Sequence, residues 1–253
     1  MSSRPFLRTT IHREEVDSTN DLARALLSEG PPATPFAVRA RRQTRGRGRG
    51  ANRWWSDEGS LTVSIVIDPA DHHLTVAHEA RPALVGALAL IETIADHRPS
   101  GRLGLKWPND VEIGRRKVAG FLAERVEVED RRFLIIGMGV NVLTRMDEAP
   151  AEVRTRAAAL VDLVADPESL SLDGLLERFL DRFARRLSDL ASDDPALVDL
   201  WNAFDLLRDQ PIAVAQGDRV VEGMGAGIDP LGGLILCDGA ERRTLYGGTV
   251  VKT

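Results

Sequence analysis

The segment from residue 103 to residue 142 most constrains the fold, because it holds four strand-like stretches separated only by short polar turns. The stretches are LGLKW, DVEIG, KVAGFLAERVEVE and RFLIIGMGVNV. Consecutive strands joined in this way are typical of an antiparallel meander. A β-sheet therefore lies at the centre of the predicted fold.

Helical patterns on both sides of the meander predict an α+β protein. Residues 77–97 and 171–190 carry apolar side chains at helical spacing, and a shorter helix is predicted for PALVDLWNAFD. Earlier in the chain, DSTNDLARALLSEGPP reads as a capped helix. FAVRA and SLTVSIVI read as strands, and the second of them has one apolar face.

The pattern changes again after Leu207, where short strands are punctuated by glycine in PIAVAQ, RVVEGMGAGI, GLILC and RRTLYGG. A stretch of this kind predicts a small closed β-barrel. We therefore predict two domains, which span residues 1–207 and 208–253.

The composition excludes several classes of protein. Hydrophobic residues make up 43% and charged residues 28% of the chain, which is ordinary for a globular protein and excludes a disordered one. A single cysteine, Cys237, excludes an intramolecular disulfide and a cysteine metal cluster. No apolar run is long enough to cross a membrane, and the N-terminus lacks the apolar stretch of a signal peptide. We expect a cytoplasmic protein that does not bind membranes.

The net charge of −5 argues against a general nucleic-acid binder, yet six arginines lie within residues 39–49, in RARRQTRGRGR. Gly46, Gly48 and Ala51 match the dinucleotide pattern G-x-G-x-x-A, but the apolar helix that this pattern requires does not follow. Three interpretations remain: an anion-binding loop, a solvated loop and an RNA-binding segment.

The sequence KWPND (106–110) is either a simple turn or part of a charged site. The chain has only three lysines, and two of them, Lys106 and Lys117, lie in or near this motif. Codon usage in a GC-rich genome is one explanation for the excess of arginine over lysine. Where a lysine is nevertheless kept, we expect that an ammonium is needed and a guanidinium does not serve. In the site interpretation Asp110 binds Mg²⁺ through oxygen, and Lys117 stabilises developing negative charge.

Taken together and in order, five segments resemble the biotin protein ligases. They are DSTND (17–21), RQTRGRGRGANRWWS (42–56), LKWPNDVEI (105–113), RRKVAGFLAE (115–124) and IGMGVNV (136–142). The family's loop often carries a proline after its serine, whereas Asp57 follows Ser56 here. No single segment is specific for this family, but the order and spacing of the five segments together are.

The resemblance implies a fold and a reaction. The fold is a mixed β-sheet with helices on one face, like the core of class II aminoacyl-tRNA synthetases, followed by an SH3-like barrel. In the reaction, ATP and biotin form biotinyl-5′-AMP, from which biotin passes to a lysine of a biotin carboxyl carrier domain. Mg²⁺ accompanies the ATP.

The resemblance also implies roles for individual residues. Lys117 and Arg47 are the expected catalytic residues. The expected biotin-binding residues are Ser18, Thr19, Asn20, Gln43, Arg47, Gly48, Arg49 and Lys117. The expected ATP-binding residues are Arg49, Arg53, Trp54, Lys106, Asn109 and Asn141, with Asp110 as the metal ligand.

Some relatives carry an N-terminal helix-turn-helix domain, whereas DSTN begins at residue 17 here. We therefore expect a ligase that does not bind DNA. The expected oligomeric state is left open between a monomer and a homodimer. A lipoate or octanoyl transferase of the same fold and an Arg-Gly RNA-binding module are the alternatives.

Overall fold

The computed structural model describes residues 5–252, so the predicted domain ends at residues 1 and 253 lie outside the described part. The longer helices are α1 Thr19–Glu29, α2 Pro82–Ala95, α4 Leu172–Ala191 and α5 Ala196–Phe204, with a single turn α3 Ala151–Arg154 before α4. The first seven strands are β1 Thr9–Val16, β2 Phe36–Gln43, β3 Ser60–Ile67, β4 Leu103–Lys106, β5 Asp110–Ile113, β6 Arg116–Val128 and β7 Arg131–Asn141. The C-terminal strands are β8 Pro211–Gln216, β9 Arg219–Ile228, β10 Leu234–Asp238, β11 Glu241–Leu245 and β12 Thr249–Lys252.

Seven strands form one mixed sheet in the order β1-β2-β3-β7-β6-β5-β4. The pair β1 and β2 is parallel, and the other neighbours are antiparallel. The predicted meander is confirmed, because β4, β5, β6 and β7 pair with one another in chain order. The sequence patterns do not indicate β1, since this edge strand, TTIHREEV, is mostly polar and half exposed.

The sheet has an apolar face and a polar face. Odd-numbered residues of β3, from Leu61 to Ile67, belong to a large core cluster that also contains the apolar sides of α2 and α4. Val66 belongs instead to a second cluster with Ala23 and Leu27 of α1. Because successive strand residues point to opposite faces, α1 packs on the face opposite to α2 and α4. The mixed sheet is confirmed and the two long helices share one face, but α1 departs from the expectation that all helices do so.

The two long helices begin where their sequences allow. Pro82 occupies the first turn of α2, where its missing N–H costs no hydrogen bond, so this helix is shorter than the predicted range 77–97. Ser171 caps α4 by accepting a hydrogen bond from the backbone N–H of Gly174 at 3.0 Å. The predicted helix over 171–190 is confirmed within one residue at each end.

The C-terminal strands form a separate antiparallel sheet in the order β11-β10-β9-β8-β12, which agrees with the small SH3-like domain expected there. The predicted boundary at residue 207 falls between α5 and β8. The turn between β9 and β10 contacts the larger domain, since Trp107 Nε1 donates to the carbonyl oxygen of Gly232 at 3.1 Å. None of the helices in the described part of the chain is long and apolar enough to cross a membrane.

Candidate active site

The polar face of the sheet carries a row of small residues at its centre. The pairing register aligns Thr62, Gly139, Gly120, Asp110 and Lys106 across five neighbouring strands. A second row, one step along the strands, aligns Ser64, Gly137 and Leu122. The glycines leave a flat floor on which other side chains lie directly against the backbone.

Three glycines of this floor each lie beneath a predicted site residue: Gly137 beneath Asn20, Gly139 beneath Trp54, and Gly120 beneath Lys117. Added Cβ atoms would lie 2.3, 2.4 and 2.9 Å from the nearest atoms of those side chains, respectively. Real Cβ contacts below 3.0 Å essentially do not occur, so a larger residue would displace each side chain. Gly139 and Gly120 are cross-strand partners, which brings Trp54 and Lys117 together.

The N-terminus of α1 presents its first residues to this face. Ser18, Thr19 and Asn20 are all buried. Ser18 occupies the N-cap position, as DSTN predicts, but within the described residues its hydroxyl does not form the side-chain capping hydrogen bond. The burial of three neutral polar residues at one helix end creates a site that needs hydrogen-bond partners.

Those partners form a neutral network. The backbone N–H of Thr19 donates to Gln43 Oε1 at 2.8 Å, and the Thr19 hydroxyl donates to the same oxygen at 3.1 Å. The hydroxyl of Ser64 lies 2.7 Å from Thr19 Oγ1 and 2.6 Å from Asn20 Oδ1. The predicted residues Thr19, Asn20 and Gln43 therefore come together, and Ser64 joins them although the sequence reasoning missed it. The polar residues that alternate with the apolar face of SLTVSIVI were the available signal.

Glu124 is a second residue that the reasoning missed, although it closes the motif RRKVAGFLAE. Its carboxylate accepts hydrogen bonds from Asn20 Nδ2 at 2.8 Å and from Arg24 at 3.2 Å. Arg47 donates to both of its oxygens, at 2.8 and 3.2 Å. The Glu124 side chain is only 15% exposed. One mostly buried anion thus joins α1, the sheet and the Arg-Gly loop, which we define as residues 44–53.

The Arg-Gly loop folds back on itself as a tight hairpin. Gly48 N donates to the carbonyl oxygen of Asn52 at 2.9 Å, and Trp54 N donates to that of Gly46 at 2.9 Å. Arg47 and Arg53 form an isolated β-bridge, which leaves the Arg53 side chain exposed. A Cβ on Gly46 would lie 2.4 Å from the carbonyl oxygen of Trp54, so the hairpin requires glycine there.

Arg49 reaches in the other direction, towards the C-terminal domain. Its guanidinium donates to the carbonyl oxygen of Gly248 and lies 5.9 Å from the centroid of the Trp107 ring. A cavity of about 200 Å³ lies beside it, bordered also by Asn109 and Tyr246. Two predicted ATP-binding residues, Arg49 and Asn109, therefore border one cavity at the junction of the two domains.

Carboxylates offset most of the positive charge around the loop. The ion pairs are Arg39 with Asp173, Arg41 with Glu14 and Glu58, Arg42 with Glu15, Arg45 with Asp17, and Arg47 with Asp21 and Glu124. The hydrogen bonds from Arg45 and then from Thr44 lower the pKa of Asp17 below its ordinary value. The cluster of arginines is thus not an uncompensated basic surface of the kind that nucleic-acid binding requires.

Lys117 and Asp110 form the charged part of the site. Lys117 Nζ lies 2.6 Å from Asp110 Oδ1 and 5.7 Å from the centroid of the Trp54 ring. Lys106 Nζ lies 3.5 Å from Glu112 Oε1, two residues after Asp110 on β5. The predicted residues Lys106, Asp110, Lys117 and Trp54 are therefore neighbours on the polar face.

The two predicted asparagines serve the backbone. Asn109 Nδ2 donates to the carbonyl oxygen of Phe121, and the backbone N–H of Phe121 donates to the carbonyl oxygen of Asn109 at 3.0 Å. Asn141 Nδ2 donates to the carbonyl oxygen of Ala158 at 3.2 Å. The N–H of Ala158 in turn donates to the carbonyl oxygen of Lys117 at 3.0 Å, so Asn141 helps to fix the strand that carries Lys117.

A resident metal centre is not built into this face. Among residues 5–252, His, Cys, Asp and Glu side chains form no group of three or more that could hold a metal ion. Mg²⁺ is commonly held by one or two carboxylates together with substrate phosphates. Asp110 and Glu112 lie on the same face of β5, so their oxygens are ligands of the kind that such an ion binds.

Comparison with known proteins agrees with this architecture. The model of the biotin/lipoate A/B protein ligase family matches residues 13–141, and the model of the biotin protein ligase C terminal domain matches residues 209–253. The biotin--[acetyl-CoA-carboxylase] ligase of Paracoccus denitrificans is 31% identical over 237 residues, which cover 90% of this chain and 94% of the relative. The bifunctional ligase/repressor BirA of Bacillus spizizenii is 29% identical over 229 residues, which cover 89% and 68%.

A solved structure gives the same result in three dimensions. The biotin protein ligase of Aquifex aeolicus in complex with biotin and ATP matches with a TM-score of 0.79 and 26% identity, over 96% of this chain and 98% of that chain. Fold and site thus define a two-domain ligase of the biotin/lipoate class. The chain belongs to the biotin protein ligase family, because both of its domains match ligase models and a ligase relative is aligned over nearly its whole length.

Proposed function

We propose that this chain is a biotin–protein ligase, which activates biotin with ATP and transfers it to a lysine of a carboxylase carrier domain. The observation that carries the proposal is the juxtaposition, on one glycine-floored face, of a buried neutral hydrogen-bonding network and the Lys117–Asp110 pair. Biotin combines a neutral ureido ring with a carboxylate, so it needs both kinds of partner.

In the first step, a carboxylate oxygen of biotin attacks the α-phosphorus of ATP, the bond between the α- and β-phosphates breaks, and pyrophosphate leaves. Carboxylate and triphosphate repel each other, so the site must supply positive charge between them. Lys117 is the proposed donor to the reacting oxygens. Arg49 binds phosphate at the domain junction, and Lys106 and Arg53 add positive charge near the nucleotide.

In the second step, the neutral amine of the carrier lysine attacks the carbonyl carbon of the mixed anhydride, AMP leaves and the amine loses a proton. Until then, the reactive anhydride has to be kept from water. In the proposal the Arg-Gly loop, in which Gly48 pairs with Asn52 just before the turn, covers the polar face. Trp54 offers its ring to adenine, while Ser18, Thr19, Asn20 and Gln43 hold the ureido ring.

Mg²⁺ enters as part of the nucleotide, with Asp110 as the nearest proposed ligand. Asn109 and Asn141 are assigned to the ATP side of the site, where both fix the backbone around Lys117. We assign the reaction to the cytoplasm, where biotin-dependent carboxylases would supply the carrier domain. The protein is proposed to act as a monomer or a homodimer.

The lipoate alternative is separated from the proposal by one assay. ATP–pyrophosphate exchange should require biotin and should not be supported by lipoate or octanoate. Exchange with lipoate alone would contradict the proposal. The RNA-binding alternative is not favoured, because five of the six arginines within residues 39–49 pair with carboxylates.

A further inference from the structure

Glu124 occupies a position that the proposed chemistry does not use directly. Its carboxylate is mostly buried, yet it accepts hydrogen bonds from the side chains of Asn20, Arg24 and Arg47. Those donors come from α1 and from the Arg-Gly loop, whereas Glu124 itself lies on β6. A mostly buried carboxylate with two charged donors and one neutral donor costs free energy on desolvation unless all its partners stay in place.

We propose that Glu124 is a positioning residue, which holds the Arg-Gly loop closed over the polar face and fixes the orientation of Asn20. This inference rests on the proposed function for its link to biotin, but its structural part does not. Glu124 touches no reacting atom in the proposed site; it acts through Arg47 and Asn20.

The contact with Arg47 is the first part of the argument. Arg47 is one of the two expected catalytic residues, yet its guanidinium spans Glu124 and Asp21, with Asp21 Oδ1 at 2.6 Å. A guanidinium held by two carboxylates has few donors left for a phosphate. Arg47 therefore anchors the loop to the sheet, while Arg49, two residues later, anchors it to the carbonyl oxygen of Gly248.

The contact with Asn20 is the second part. An ionised carboxylate accepts hydrogen bonds and cannot donate, so Glu124 requires the Nδ2 group of Asn20 to face it. Asn20 Oδ1 must then face Ser64, whose hydroxyl donates to it at 2.6 Å. Ser64 in turn lies 2.7 Å from Thr19, which donates to Gln43. One anion thus sets the orientation of the amide at the start of the network that the proposal assigns to biotin.

The substitution Glu124→Gln tests both parts, since it keeps the size of the side chain and removes its charge. The amide of the new glutamine carries an NH2 donor in place of one carboxylate oxygen. The side-chain amide of Asn20 can therefore flip, and Arg47 loses its ion pair with residue 124. We expect tryptic cleavage at Arg45, Arg47 or Arg49 in the folded protein to accelerate by at least about tenfold, as for loss of a charged hydrogen bond. Glu58→Gln is the matched control, because Glu58 pairs with the exposed Arg41 outside this network. Its cleavage should match the parent.

Steady-state kinetics separate positioning from simple destabilisation. Loss of folded protein lowers the apparent kcat and leaves KM unchanged, because the surviving molecules are intact. We expect Glu124→Gln to raise the KM for biotin by about tenfold and to change the KM for ATP by less than about threefold. The KM for biotin of Glu124→Asp should lie between those of Glu124→Gln and the parent. Parent-like cleavage together with a parent-like KM for biotin would overturn the inference.

A second variant protects the test against misfolding. Arg47→Lys keeps the charge and loses the paired hydrogen bonds, so it should also accelerate tryptic cleavage of the loop, and parent-like cleavage in this variant would overturn the inference. The proteolysis needs no biotin, so it also distinguishes the two proposals. Biotin-dependent exchange that fails in the parent contradicts the proposed function, whereas the cleavage result still decides the role of Glu124.

Discussion

Lys117 Nζ lies 2.6 Å from Asp110 Oδ1, on the polar face of the sheet and beside Gly120, the cross-strand partner of Asp110. The ammonium thus already has a carboxylate partner of its own. A ligand carboxylate or phosphate that enters here replaces or joins Asp110 as its partner. The pair places one compact positive charge where the proposed reaction develops negative charge.

The first prediction concerns the ammonium itself. Lys117→Arg preserves the charge but replaces a compact donor, which contacts Asp110 and lies near the Trp54 ring, with a planar group of different hydrogen-bond geometry. We expect adenylation to slow by roughly a hundredfold, or about 3 kcal/mol, close to the effect of Lys117→Ala. Single-turnover formation of biotinyl-AMP measures this rate. Arg116→Lys, at the exposed neighbouring position, is the control, and a rate for Lys117→Arg within about threefold of the parent would remove the catalytic assignment.

Asp110→Asn tests the partner carboxylate. The substitution leaves Lys117 without its ion pair and removes the proposed Mg²⁺ ligand, while the size of the side chain is kept. We expect the Mg²⁺ concentration needed for half-maximal ATP–pyrophosphate exchange to rise several-fold, with little change in the melting temperature. An unchanged Mg²⁺ dependence would show that Asp110 serves only Lys117.

Gly139→Ala tests the glycine floor. The added methyl group would lie 2.4 Å from Trp54 Cε2, so the indole must move off the sheet. We expect a KM for ATP raised by about tenfold or more, because the proposed adenine platform is lost; base–aromatic stacking is worth about 1–3 kcal/mol. Gly174→Ala in α4 is the control, where a Cβ comes no closer than 3.3 Å to another atom and alanine favours the helix. A parent-like KM for ATP in Gly139→Ala would argue against the role of Trp54.

The fourth prediction concerns stability at the domain junction. Asp205 is 1% exposed, and burial raises its pKa above the ordinary value despite a hydrogen bond from Leu207 N at 2.9 Å. The folded state therefore binds the proton more tightly than the unfolded state does. Its favourable contribution is present below the unfolded pKa of about 3.9 and is lost as the pH rises through the folded pKa.

Asp205→Asn should consequently stabilise the protein at pH 7–8 and have little effect near pH 3.5. Each kcal/mol corresponds to a shift of about 2–4 °C in the melting temperature of a chain of this size. Thermal melting across pH measures the difference. Asp218→Asn, in an exposed turn of the C-terminal domain, controls for the general change in charge. A stabilisation that is equal at both pH values would contradict the assignment to a buried carboxylate.

Local patterns in the sequence determined much of the architecture. The period of the apolar residues predicts α4 and the meander of β4 to β7 with small errors at their ends. Such elements depend on contacts between near neighbours, so the spacing of their side chains is sufficient. The motifs around Lys117 and in the Arg-Gly loop likewise identified segments that meet on one face.

Only the tertiary structure decided which side chains meet and which face the ligand. Edge strand β1 carries mostly polar residues, and its parallel pairing with β2 follows from the path of α1 rather than from its own pattern. Glu124 gave no signal of its own, because an acidic residue in a strand is usually exposed, and its three donors lie at least 77 residues away in the chain. The row that brings Gly139, Gly120 and Asp110 side by side is a product of strand register. Register is set by packing across the whole sheet, since a shift of one residue would turn every side chain to the other face.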